Sequence, residues 1–205
     1  MNPATQQALS ILRNGDTFQW YVITLFAFVV YIYFNEISKS NWKGIAAGLS
    51  LYMVHWFFEI MNALIQHFSG NALWTVPSGT AFLLLIGVGV ELSLMFSVAG
   101  LIFSKLLPAD PKTKILGINS RLFFAIFNAA FFSIFEIFLA KTPTFVWVYS
   151  WWGALPVFIT VYIPFFLVSM YSYDWKPKLQ KQVIGGLAGV NAVMLVVFAG
   201  ILHWI

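Results

Sequence analysis

Cysteine is absent from the 205 residues, which excludes disulfides, thiolate metal sites and cysteine nucleophiles. Charge is almost absent: Lys, Arg, Asp and Glu together make 9% of the chain, against about 25% in soluble domains. The first 17 residues are polar and carry Asp16, so they do not read as a cleavable signal peptide. No second soluble domain is left once the apolar runs are counted. A potassium-filter string, an Arg-rich sensor helix and a last-helix Lys are all missing, which leaves channel and retinal-protein readings without support.

What is present is apolar. Hydrophobic residues make 60% of the chain and aromatics 19%, with a mean hydropathy of +0.84. This is the composition of an integral membrane protein. A span needs about 20 mainly apolar residues. The pattern predicts an all-α fold: one domain over 1–205, a bundle of six transmembrane helices at roughly 18–35, 44–68, 79–105, 119–140, 145–173 and 182–204. Pro77 and Gly79, Pro108 and Pro111, Pro143, and Pro177 punctuate the connections. Pro156 and Pro164 predict a kink in the fifth span.

The few basic residues divide unevenly. Lys39, Lys43, Lys105, Lys112, Lys114, Arg121, Lys176, Lys178 and Lys181 fall after spans one, three and five, whereas the other side has only Arg13 and Lys141. The positive-inside rule then places loops 36–43, 106–118 and 174–181 in the cytoplasm and both termini on the non-cytoplasmic side. The pI near 9.3 therefore reports orientation, and no nucleic-acid partner is expected. Trp20, Trp42, Trp74, Trp147, Trp175 and Trp204 lie near span ends, where interfacial anchors sit.

Against this background three glutamates stand out, because Glu59, Glu91 and Glu136 lie inside apolar runs. An ionisable group at bilayer depth costs at least roughly 2.5–3.5 kcal/mol on insertion scales, so function is the default expectation. His55, Glu59 and Asn62 share one helical face at i, i+4 and i+7. Asn128 shares a face with Glu136, and Asn191 follows the small residues Gly185, Gly186 and Gly189. Counted by helical rise, Glu59 and Glu91 lie roughly 13–18 Å from the outer surface and Glu136 nearer 8 Å, which predicts one shared site in the outer leaflet. A buried Glu/His cluster can hold and move a proton, and aromatic faces can stabilise a carbocation. Isomerisation or cyclisation of an apolar lipid is the reaction class this implies, with no cofactor.

The string His55-Trp56-Phe57-Phe58-Glu59 resembles the His-x-x-x-Glu of the emopamil-binding-protein (EXPERA) family of membrane sterol isomerases. Glu91 matches that family's further glutamate, and Trp152, four residues before Pro156, matches its late-helix tryptophan. The position of the family's late-helix Asn is Tyr149 here. The resemblance implies catalytic roles for His55, Glu59 and Glu91, with Glu136 added from its own depth. Asn62, Trp56, Trp152, Tyr149, Asn128 and Asn191 are the substrate-binding candidates. The integral-membrane terpene cyclases offer a second resemblance, through a second helix that carries a glutamate after the polar Asn41 to Lys43.

Two other classes compete. His55, Glu59, Glu91 and Glu136 are also the residue types of a carboxylate-rich metal site for an oxidoreductase, although bundle di-metal sites use two Glu-x-x-His pairs and the chain has only three His. A proton-coupled transporter or substrate-binding subunit, alone, as an oligomer or within a larger complex, would use the same glutamates.

Overall fold

The computed structural model describes residues 1–205. Five helices are long and apolar enough to cross a membrane: α2 (Tyr21–Ser38), α3 (Trp42–Ser69), α5 (Ser120–Leu139), the α6–α7 run Ala154–Ser172, and the α8 run Pro177–Ile201. A shorter helix, α4 (Val90–Ser104), lies between α3 and α5, and a helix not anticipated from the sequence, α1 (Pro3–Ile11), precedes them all. Asparagine side chains start several of these helices. Asn2 accepts from the Ala4 N–H at 2.8 Å, Asn41 from Gly44 at 3.1 Å and Asn119 from Arg121 at 2.8 Å, each satisfying a free first-turn donor. Gly70, in the left-handed conformation at φ 79°, ends α3 by donating its N–H to Gln66 O.

α3 is the central post. It packs along α4, α7 and α8, while α5 packs on α7. Close approach is set by small residues: a Cβ on Gly100 would lie 2.5 Å from Ala47 O, and one on Gly48 would lie 2.9 Å from Leu101 Cβ and Tyr33 Oη. α4 and α5 are bridged mainly by rings, with Phe96 and Phe103 against Phe132 at 5.6 Å each and Phe103 against Phe131 at 6.0 Å. α2 buries only Val22 and Glu36, and α8 only Gln180 and Asn191.

Two ion pairs, each with one buried partner, tie the lysine-rich end together. Lys105 Nζ donates to Glu36 Oε1 at 2.5 Å, joining the α2–α3 turn to the end of α4. Arg121 is 1% exposed and donates to both Asp174 oxygens at 2.6 and 3.1 Å, with Pro108 O a further acceptor at 2.9 Å. These bonds bring the three lysine-bearing connections to one end of the bundle. A two-residue ladder, β4 (Lys114–Ile115) with β5 (Ile118–Asn119), turns there through Leu116 and Gly117, both at positive φ.

The opposite end departs from an all-helical fold. Residues 79–89, expected to be helix, form a loop and a hairpin of β2 (Leu83–Leu85) and β3 (Val88–Gly89) before α4 begins. Fifteen residues of α4 rise about 22 Å, short of a bilayer core of about 30 Å. Non-helical backbone at that depth must find partners within the protein. It does so here: Val76 N donates to Ile86 O at 3.1 Å, Arg13 N to Leu83 O at 3.0 Å and Val90 N to Phe82 O at 2.9 Å. Residues 145–153, also expected to be helix, contain β6 (Val146–Trp147), which pairs antiparallel with β1 (Trp74–Thr75). The β2–β3 hairpin and the β1–β6 ladder together form a lid on this end, and Arg13 Nη2 donates to Ile205 O at 2.9 Å beside it.

The kink expected in the fifth span takes the form of a π-helical turn, Phe158–Tyr162, between Pro156 and Pro164. Pro164 has no N–H to donate back along the helix, and the wider turn accommodates that loss.

Candidate functional site

Glu59 and Glu136 face one pocket beneath the lid, although they come from α3 and α5. Twelve of its sixteen lining residues are hydrophobic, and none is Lys or Arg. His55, Trp74, Phe96, Phe132, Tyr162 and Phe165 supply rings around the two carboxyl groups. The cavity is about 40 Å³, room for about three waters.

The lid holds the two carboxyls through a matched pair of tryptophans. Trp74 and Trp147 stand directly opposite each other in the β1–β6 ladder. Trp74 Nε1 donates to both oxygens of Glu59 at 3.3 Å, and Trp147 Nε1 donates to Glu136 Oε1 at 2.7 Å. Tyr162, at the end of the π turn, donates its hydroxyl to Glu136 Oε2 at 2.5 Å. The two acids are therefore served unequally. Glu136 accepts from two short, separate donors, while Glu59 has one long bond split between its oxygens.

His55 keeps its i, i+4 relation to Glu59, with Nε2 3.6 Å from Oε1, too long for a hydrogen bond. Its ring stacks on Phe96 at 4.4 Å and lies edge-on to Phe165 at 5.9 Å, and neither nitrogen has a hydrogen-bond partner.

Glu91 is not brought to this pocket. It sits in the first turn of α4 and accepts from Thr80 Oγ1 and from the Ala81 N–H, each at 2.6 Å, and from the Tyr21 hydroxyl. It thus clasps the loop before the hairpin to α2 and α4. The four-residue metal set is corrected for the same reason: no three His, Asp or Glu side chains gather in ligand geometry, and Glu91 is engaged elsewhere.

None of the six substrate-binding candidates lines the pocket. Asn62 pins the lid, donating to Trp74 O at 2.9 Å and accepting from the Leu73 N–H at 2.8 Å. Trp152 stacks on Trp74 at 6.0 Å, with its buried Nε1 unpartnered. Trp56 lies edge-on to His55, outside the pocket, at 6.5 Å. Tyr149 hydrogen-bonds Ser69 Oγ at 3.1 Å near the surface. Asn128 is buried beside Met170 Sδ at 3.9 Å, and Asn191 donates to Met53 O at 2.8 Å, tying α8 to α3.

Sequence reasoning assigned Trp74 and Trp147 to the interface and passed over Tyr162. The signal for the tryptophans was their indole N–H, a donor that needs an acceptor wherever it is buried. Nothing in the sequence marked Tyr162, because its reach to Glu136 depends on the packing of the π turn against α5.

Comparison with known proteins gives a membrane context. The model of an uncharacterized membrane protein family matches residues 2–200. An uncharacterized protein of Archaeoglobus fulgidus is 45% identical over 207 residues, covering 98% of each chain. A second from the same organism is 41% identical over 51 residues, 24% of this chain and 89% of its own. No solved structure matches.

Proposed function

The chain belongs to that uncharacterized membrane protein family, and from this premise we propose that it is a membrane-embedded acid–base enzyme that isomerises or cyclises an apolar lipid. The observation that carries the reading is the pairing of two carboxyl groups across one aromatic pocket that has no cation. The unequal hydrogen bonding divides their roles. A carboxylate is stabilised by donors aimed at its charge, so Glu136, with Trp147 and Tyr162, is the base. Glu59, with one divided donor in the same apolar surroundings, carries the proton and is the acid.

The reaction is redox-neutral. The Glu59 O–H bond breaks as its proton forms a C–H bond at one alkene carbon, leaving a carbocation at the other. The faces of Phe96, Phe132 and Phe165 surround that charge. Glu136 then takes a proton from the neighbouring carbon, and the C–H electron pair forms the new double bond. One internal proton transfer from Glu136 back to Glu59 resets the site. Ring closure differs only in that a second alkene of the substrate attacks the cation before the proton leaves.

Six crossings, with the lysine-bearing loops cytoplasmic and both termini outside, complete the reading. The lysine asymmetry and the alternation of helix ends support it. The lid and its pocket then lie in the outer leaflet.

The test uses purified protein in D2O with a neutral-lipid extract of the native membrane. Wild type should place deuterium on lipid carbon, and Glu59→Gln should lose that exchange while staying folded. Undiminished exchange by the folded variant would overturn the proposal.

A further inference from the structure

A second cavity, of about 180 Å³, adjoins the aromatic pocket and shares Leu92, Leu139 and Phe145 with it as a common wall. Its character is different. Ser78, Thr80, Glu91 and Thr144 line it, so it presents hydroxyl groups and one carboxyl. Glu91 is held in place by Thr80, Ala81 and Tyr21. The Cβ-free surface of Gly89 keeps this side open: a Cβ there would lie 2.1 Å from Thr80 Oγ1 and 3.1 Å from Glu91 Oε2.

Neither chamber contains a Lys or Arg. At the lid end Arg13 is committed to Ile205 O and lines a separate cavity. Lys141 lines neither chamber. A phosphate or carboxylate headgroup would therefore sit beside Glu91 with no counter-charge, and like charges so placed are strongly disfavoured. A neutral hydroxyl has what it needs, since it can donate to a Glu91 carboxyl oxygen or to the lone pair of a threonine oxygen, the threonine protons being already committed to Glu91 and to Thr142. The aromatic chamber, by contrast, is lined mainly by apolar side chains, its polar groups being the two acids, their donors Trp74 and Tyr162, and the His55 ring. Its outer wall is apolar as well: Phe135 and Leu139 on α5 line it together with Leu92 and Met95 on α4, along the seam bridged mainly by rings.

We infer that the two chambers form one binding site for a neutral amphiphile, with a hydroxyl headgroup in the Glu91 niche and the hydrocarbon in the aromatic pocket, admitted from the bilayer between α4 and α5. The inference rests on the proposed lipid chemistry only for what happens after binding. Charge selectivity is built in by the absence of any cation near Glu91. Admission of the hydrocarbon requires the rings and Leu139 to swing aside, because the aromatic chamber at rest holds only a few waters.

Photo-crosslinking of the full chain in phosphatidylcholine nanodiscs tests this. The probes are a long-chain alcohol carrying a diazirine and its phosphate monoester with the same chain. The alcohol should label Leu92, Leu139 or Phe145 at least about tenfold more than the phosphate does. Leu139→Trp, which fills the shared wall, should abolish that labelling with the unfolding transition retained. Thr144→Val should weaken it, and serves if Leu139→Trp fails to fold. Equal labelling by the phosphate, or alcohol labelling that avoids these residues, would overturn the inference. Glu59→Gln separates the two proposals: labelling persists with deuterium exchange lost if both hold, whereas labelling with undiminished exchange sinks the enzymatic reading alone.

Discussion

Gly87 is the point where a single methyl group would do most harm. It lies between β2 and β3, and a Cβ there would come 2.4 Å from Trp74 Nε1, 2.5 Å from Asn62 Nδ2 and 2.7 Å from Glu59 Oε2. All three atoms belong to one buried polar node, in which Asn62 fixes the lid backbone and Trp74 reaches Glu59. Each is a side-chain end, but each is held by a hydrogen bond within that node. Forcing a methyl group into a packed site costs about 1–3 kcal/mol. Losing the Asn62 bond to Trp74 O adds about 0.5–1.5 kcal/mol. Gly87→Ala should therefore destabilise the protein by about 1.5–4.5 kcal/mol. It should also red-shift the fluorescence of Trp74 as the lid loosens. Gly185→Ala is the matched control, because nothing lies within 4 Å of its Cβ position in α8. There the helix propensity of alanine should stabilise by up to about 1 kcal/mol. Denaturant unfolding in detergent, followed by tryptophan emission, measures both. A Gly87→Ala variant within about 0.5 kcal/mol of wild type would refute the packing of the hairpin over Glu59.

At the lysine-rich end, Arg121→Ala removes a buried two-pronged donor from the partly exposed Asp174 and should cost about 1.5–3 kcal/mol in the same unfolding assay, with Arg121→Lys restoring little because it lacks that geometry. A loss below 1 kcal/mol would mean that this pair is solvated. In the lid, Trp147→Phe removes a 2.7 Å donor to the base and should slow lipid deuterium exchange by about 10–100-fold, the equivalent of about 1.5–3 kcal/mol. Trp74→Phe removes only a divided 3.3 Å bond and should cost no more than about tenfold. Equal losses would contradict the division of roles between Glu136 and Glu59.

The helices that the sequence made legible are those whose apolar runs exceed a bilayer's thickness without interruption, such as α3, α5 and the α8 run. Residues 81–86 misled because Ala-Phe-Leu-Leu-Leu-Ile is apolar enough for either a helix or a strand, and only Gly79, Gly87 and Gly89 around it spoke for a turn. The first 17 residues are polar, so hydropathy alone gives no helix there, although Asn2 before Pro3 is the combination that caps a helix and occupies its first turn. For the site, hydropathy identified the buried acids because a glutamate in an apolar run is conspicuous in one dimension. It could not tell which acids share a chamber. Glu91 lies on a short helix at the foot of a hairpin, and the loop ahead of that hairpin supplies its partners. The tryptophans that serve Glu59 and Glu136 stand opposite each other because β1 and β6 pair, a contact between residues more than seventy positions apart.

Solvent deuterium incorporation into lipid carbon, compared across wild type, Glu59→Gln and Glu136→Gln, bears on the central claim most directly. Each substitution replaces a carboxyl with an isosteric amide that cannot carry the proton. The account predicts exchange by wild type and its loss in both variants with unfolding transitions retained. Exchange that persists in folded Glu59→Gln and Glu136→Gln would contradict it.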